Sequence, residues 1–138
     1  MNNESETTVT LQIRVAILIA TIITGLFGFC AWRYYSGFAE YWIRYYISGV
    51  LYEIFWCLLF FSLWPNKKNI FRIPVAVFIA TCTLEFLQLW QPAFLQCFRL
   101  TLLGAALIGT DFVWLQFPFY VLGAAISVFL LATLAKQK

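Results

Sequence analysis

The chain has 138 residues, of which 63% are hydrophobic and only 11% charged, well above the roughly 45 to 50% apolar content of soluble globular domains. That excess excludes an ordinary water-soluble fold, and the length leaves room for about four bilayer-crossing helices of about 20 residues. There is no histidine, and Cys30, Cys57, Cys82 and Cys97 are widely dispersed. The usual general base and commonest metal ligand are therefore missing, and no cofactor, metal site or nucleic-acid partner is expected.

In chain order, residues 1–14 form a polar tail carrying Glu4 and Glu6, expected to be disordered. The first apolar run, 15–32, is free of charge. A secretory signal would open on basic residues and close on small ones, so the run is read as a retained span. Between it and the next span lie Trp32, Tyr34, Tyr35, Tyr41, Trp42, Tyr45 and Tyr46, an aromatic belt of the kind found at lipid headgroups. A second span, 45–64, is closed by Pro65-Asn66-Lys67-Lys68-Asn69, a polar turn with a helix breaker. The third, 73–90, tolerates Pro74 in its first turn and ends before Pro92. The fourth, 117–134, stops short of Lys136 and Lys138.

The connection 91–116 contains an apolar run, 100–108, too short to cross a bilayer but suited to a re-entrant or interfacial helix. Gly104, Ala105, Ala106 and Gly109 let its backbone pack closely on the spans. The expected fold is all-α: a polytopic membrane protein with four transmembrane helices over 15–138 and a re-entrant or interfacial helix between spans three and four. Four spans place both termini on one side. Arg14, Lys67, Lys68, Arg72, Lys136 and Lys138 flank that side, against Arg33, Arg44 and Arg99 on the other, so the positive-inside rule puts the termini in the cytoplasm.

Polar residues then converge in the outer half. Glu85 lies roughly 7 to 8 Å inside the end of span three, and Glu53 about 12 Å into span two, at about 1.5 Å per helical residue. A charge near mid-bilayer costs roughly 2.5 to 3.5 kcal/mol on insertion scales, so it persists when paired, protonated or used. Gln88 shares a helix face with Glu85. Arg99, just beyond the helix end, is expected to reach inward to Glu85, and Asp111 closes the same connection. The plainer alternative is interhelical glue, worth around 0.6 kcal/mol per bond. Asp111 then reads as a solvated loop residue or helix cap, and the cysteines as small packing residues.

The stretch Glu85-Phe86-Leu87-Gln88-Leu89-Trp90, then Phe98-Arg99-Leu100-Thr101, Gly104, Gly109-Thr110 with Phe112 and Trp114, and finally Tyr120 with Gly123, resembles domain-of-unknown-function family 2809. More loosely it is similar to the VanZ-like proteins associated with teicoplanin resistance. The resemblance implies a small bacterial cell-membrane protein of about four spans, with Tyr120 among its site residues. It also implies acids where this chain has Val50 and Gln116; Glu53, one turn beyond Val50, offers a replacement for the first.

Three roles are open on the sequence. Glu85, Gln88, Arg99 and Glu53, with Asp111 and Tyr120 at the margin, could hold an anionic lipid or envelope-precursor head group at the outer leaflet, where Arg99 suits phosphate through paired donors. The chain could instead be a structural subunit or assembly factor of a larger complex, with a membrane-protein partner or a second copy of itself. A small-solute permease would need a polar route through the inner half, where the spans carry no ionisable residue. No catalytic residue is assigned.

Overall fold

In a computed structural model, the backbone is described for residues 2–136 and side chains for 11–136. Six helices make up the fold, with no strand among the described residues: α1 (Asn2–Tyr34), α2 (Glu40–Leu63), α3 (Asn69–Leu89), α4 (Ala93–Arg99), α5 (Leu102–Ile108) and α6 (Gln116–Lys136). Four of them, over Leu11–Tyr34, Glu40–Leu63, Asn69–Leu89 and Gln116–Lys136, are long and apolar enough to cross a membrane. The chain is thus an all-α, multi-pass membrane protein.

The boundaries differ from the sequence expectation in instructive ways. Backbone helix runs from Asn2, so the polar stretch expected as a tail continues α1 toward the N-terminus. Lys138, counted toward orientation, lies outside the described residues. Span two begins at Glu40 rather than 45, because the aromatic belt is itself helical, with Arg44 meeting Glu40 at 3.4 Å one turn away. Span three begins at Asn69, so Pro74 sits inside the helix and not in its first turn. Side chains of the 65–69 turn explain the early start. Asn66 Oδ1 accepts from the Lys68 amide, and Asn69 Nδ2 donates to the Trp64 carbonyl, closing the end of α2 onto the start of α3.

α2 is the centre of the bundle. It packs on α1 to one side and on α3 and α6 to the other, and α3 and α6 also meet. Toward the end that holds the α2–α3 turn, Ile17, Ile54, Leu58, Phe61 and Leu131 form a buried apolar cluster. Outward-facing residues such as Ile19, Ile23 and Phe27 on α1 are exposed, as lipid-facing side chains must be. Near its start α2 carries a π-helical stretch, Ile43–Ile47, where the Ser48 amide donates to the Ile43 carbonyl five residues back. The wider turn directs Tyr46 inward, where it stacks on Phe119 of α6 at 4.6 Å.

Close approach requires glycine at Gly104, against the Phe98 carbonyl, and at two positions that shape the polar face. Gly123 lets α6 lie against α2: a Cβ there would stand 2.8 Å from the Glu53 Cβ and 3.1 Å from the Val50 carbonyl oxygen. Gly109 ends α5 at φ 83°, a conformation L side chains rarely adopt, and a Cβ would run into the Gln88 amide. Helices α4 and α5 fill the connection that sequence reading gave to one short helix, and Tyr52 ties them to α2 by donating to the Leu107 carbonyl at 2.9 Å.

Candidate functional site

A cavity of about 460 Å³ lies at the end of the bundle opposite the apolar cluster. Its polar side is built by Glu85 and Gln88 of α3 with Gln116 and Tyr120 of α6. Its apolar and aromatic side comes from α1, through residues such as Leu26 and Phe29, and from α2, through Tyr52, Phe55 and Trp56. The backbone of α5 and the turn after it, ending at Asp111, closes over it.

Glu85 is 1% exposed. Tyr120 Oη lies 2.6 Å from Glu85 Oε1 and 2.7 Å from the side-chain amide of Gln116. A phenol has one proton and cannot donate to two acceptors, whereas the oxygen and nitrogen of an amide are interchangeable by a flip. The consistent arrangement turns the Gln116 NH2 toward Tyr120, which then donates to Glu85. The other carboxylate oxygen, Oε2, is buried without a partner.

Gln88, one turn on, donates from Nε2 to the Ile108 carbonyl at 2.9 Å. That bond fixes the amide, since a flip would set oxygen against oxygen. Its Oε1 is consequently left as a second buried acceptor with no partner. Trp56 Nε1 is a buried donor in the same condition.

Glu53 is separate from this group. It is 0% exposed and is not part of the cavity wall; it accepts from the Thr81 hydroxyl at 2.9 Å through Oε2, and its Oε1 is unpartnered. Thr81 is one turn before Glu85 on α3, so one helix face presents a donor to Glu53 and a carboxylate to the cavity.

Arg99 overturns an expectation. It does not reach Glu85; its Nη2 donates to the Leu87 carbonyl at 2.8 Å and is 3.5 Å from that of Trp90. The last carbonyls of a helix have no intrahelical partner and form the negative end of its dipole, so a guanidinium folded back across the 90–92 turn finds them first. The rest of its side chain borders a distinct recess of about 300 Å³ with Gln91 and Gln96. Asp111 is exposed and accepts only from the neighbouring Thr110 hydroxyl at 3.0 Å. Among the described residues the salt bridge formed is that of Arg44 with Glu40.

The structure therefore gathers Glu85, Gln88 and Tyr120, sets Glu53 behind them, and separates Arg99. It adds Gln116 and Thr81, which sequence reading did not select. The signal for both was available, because each stands four residues before a candidate, Tyr120 or Glu85, and so shares its helix face.

The family model described as Protein of unknown function (DUF2809) matches residues 38–124, and the chain belongs to that family. The matched region contains Glu85, Gln88, Gln116 and Tyr120 of the cavity, and Glu53 with its partner Thr81, but not the α1 wall. No curated protein and no solved structure matches the chain.

Proposed function

We propose that this DUF2809 member binds an amphiphile at the outer leaflet of the bacterial inner membrane, the termini lying in the cytoplasm. The apolar chain runs along the wall of α1 and α2, and the head sits at Glu85 and Gln88. One observation supports this above the rest: two buried acceptors, Glu85 Oε2 and Gln88 Oε1, have no protein partner, and both residues line a cavity whose walls are mainly apolar and aromatic. A volume of about 460 Å³ is in the range of small-molecule sites, and unsatisfied polar atoms in an apolar setting are costly unless something fills them. The looser likeness to VanZ-like proteins favours a molecule of the cell envelope.

An anionic head group at this cavity would need a cation, and Arg99 is engaged at the end of α3. Anion recognition at Arg99 would belong to the separate recess. The permease alternative is disfavoured by the apolar cluster of Ile17, Ile54, Leu58, Phe61 and Leu131. A role as structural subunit remains the competitor, and one experiment separates the two. Lipids and proteins co-purifying in mild detergent are identified by mass spectrometry for the wild type, Ala106→Phe, which fills the cavity, and Arg99→Ala. A bound amphiphile lost only from Ala106→Phe supports the reading. An identical lipid profile in wild type and Ala106→Phe, or a stoichiometric protein partner in place of any lipid, sinks it.

A further inference from the structure

The chemistry of the open atoms specifies more than occupancy. Resting on the amphiphile reading, we infer that the head group is an ammonium: the cavity takes a chain-bearing primary amine, held by the Glu85 carboxylate and the Gln88 side-chain carbonyl.

On the polar side two buried acceptors, Glu85 Oε2 and Gln88 Oε1, have no donor within hydrogen-bond reach. Tyr120 has spent its single proton on Glu85 Oε1, and its own oxygen receives the Gln116 amide. Gln88 cannot turn its NH2 inward without losing Ile108. Thus Glu85 Oε2 and Gln88 Oε1 both await a donor from outside the protein. A carboxylate buried among apolar groups also wants a counter-charge. Arg99 is held at the end of α3, Arg44, on the cavity wall, pairs with Glu40 at 3.4 Å, and Arg33 lies over the Tyr34 ring, so none of them meets Glu85.

A primary ammonium carries both what is missing, a positive charge and several donors on one small atom. Acceptors one helical turn apart, such as Glu85 and Gln88, can be spanned by two of its protons. A hydroxyl head would supply a donor without the charge, a trimethylammonium the charge without a donor, and a phosphate neither. Trp56 Nε1, the open donor, wants an acceptor further along the same molecule. An ester or ether oxygen of a lipid serves there. Phe55 and Trp56 also border the space a cation would enter, and ring faces attract cations.

The test is a titration of the purified protein in maltoside micelles, read as apparent Kd by native mass spectrometry. Four probes share one chain, dodecylamine, dodecanol, dodecyltrimethylammonium and dodecyl phosphate, each at equal mole fraction in the micelle. On the wild type, dodecylamine should bind about 10-fold tighter than the other three, the scale of one hydrogen bond to a charged group. On Glu85→Gln, which keeps the shape and an acceptor for Tyr120, that preference should shrink to within about 2-fold. Ethanolamine, a head without a chain, should bind about 100-fold more weakly than dodecylamine, since chain burial supplies most of the affinity. Equal binding of dodecanol and dodecylamine by the wild type overturns the ammonium and leaves the amphiphile reading standing. Tightest binding of dodecyl phosphate or dodecyltrimethylammonium also overturns it. Binding of no chain-bearing probe overturns both readings, and ethanolamine binding as tightly as dodecylamine overturns the chain-bearing ligand. The wild-type series decides these outcomes even if Glu85→Gln fails to fold.

Discussion

Tyr120→Phe removes one oxygen and keeps the ring, which makes it a clean probe of the site's internal support. The lost hydroxyl lies 2.6 Å from Glu85 and 2.7 Å from Gln116, both buried, so two bonds disappear and two polar groups are stranded. Hydrogen bonds between membrane helices average about 0.6 kcal/mol and reach about 1.7, and those to charged partners are the stronger ones. Two such bonds put the expected loss at about 2 kcal/mol. Unfolding by dodecyl sulfate in mixed micelles, followed by tryptophan fluorescence, measures it. The decisive arm is a double-mutant cycle with Glu85→Ala. In that background Tyr120→Phe should cost about 1 kcal/mol less, because the Glu85 bond is already absent. If the cost is the same in both backgrounds, Tyr120 and Glu85 do not depend on each other and the hydrogen-bonded chain from Gln116 to Glu85 is refuted.

Thr81→Val conserves shape but leaves Glu53 with neither oxygen satisfied, so it should destabilise the fold by about 1 to 3 kcal/mol in the same unfolding assay, and a neutral result would mean that Glu53 finds another partner. Gly109→Ala forces a Cβ onto both a positive φ and the Gln88 amide; limited proteolysis should cut the 91–115 connection faster than in the wild type, and an unchanged rate would argue against the tie between Gln88 and Ile108. Cys97 is exposed on α4 at the cavity end. In Cys30→Ser protein, a membrane-impermeant maleimide added to intact cells should label it, and labelling only after the membrane is breached would invert the proposed orientation.

The membrane class and the four spans were legible because hydropathy is written along one dimension. Glu85 and Gln88 stood out because charge and amide in an apolar helix are expensive. What sequence could not supply was direction. Arg99 follows both a carboxylate and the terminal carbonyls of α3 in sequence, and the short turn at 90–92 decides between them. Gln116 was read only as a lost acid, although as a neutral amide it can give Tyr120 the donor that a carboxylate could not. The division of residues 91–116 into two helices turns on Thr101, whose hydroxyl accepts from the Gly104 amide at 3.0 Å and restarts the helix after Arg99.

The π-helical stretch at Ile43–Ile47 carries a consequence for how this chain can change. Each α-helical residue advances the face by about 100°, so a single insertion or deletion in an ordinary span would swing Glu53 and Gly49 out of the bundle. A wide turn placed before them works as a phase adjuster: it absorbs one residue locally and lets the interfacial aromatics Tyr41 and Trp42 hold their own azimuth. Removing one residue from this stretch should return it to ordinary α-helix and leave both the aromatic segment ahead of it and the buried face on their present azimuths. The same removal at Leu51 would rotate that face itself, so α2 behaves as two separately tunable helices joined end to end.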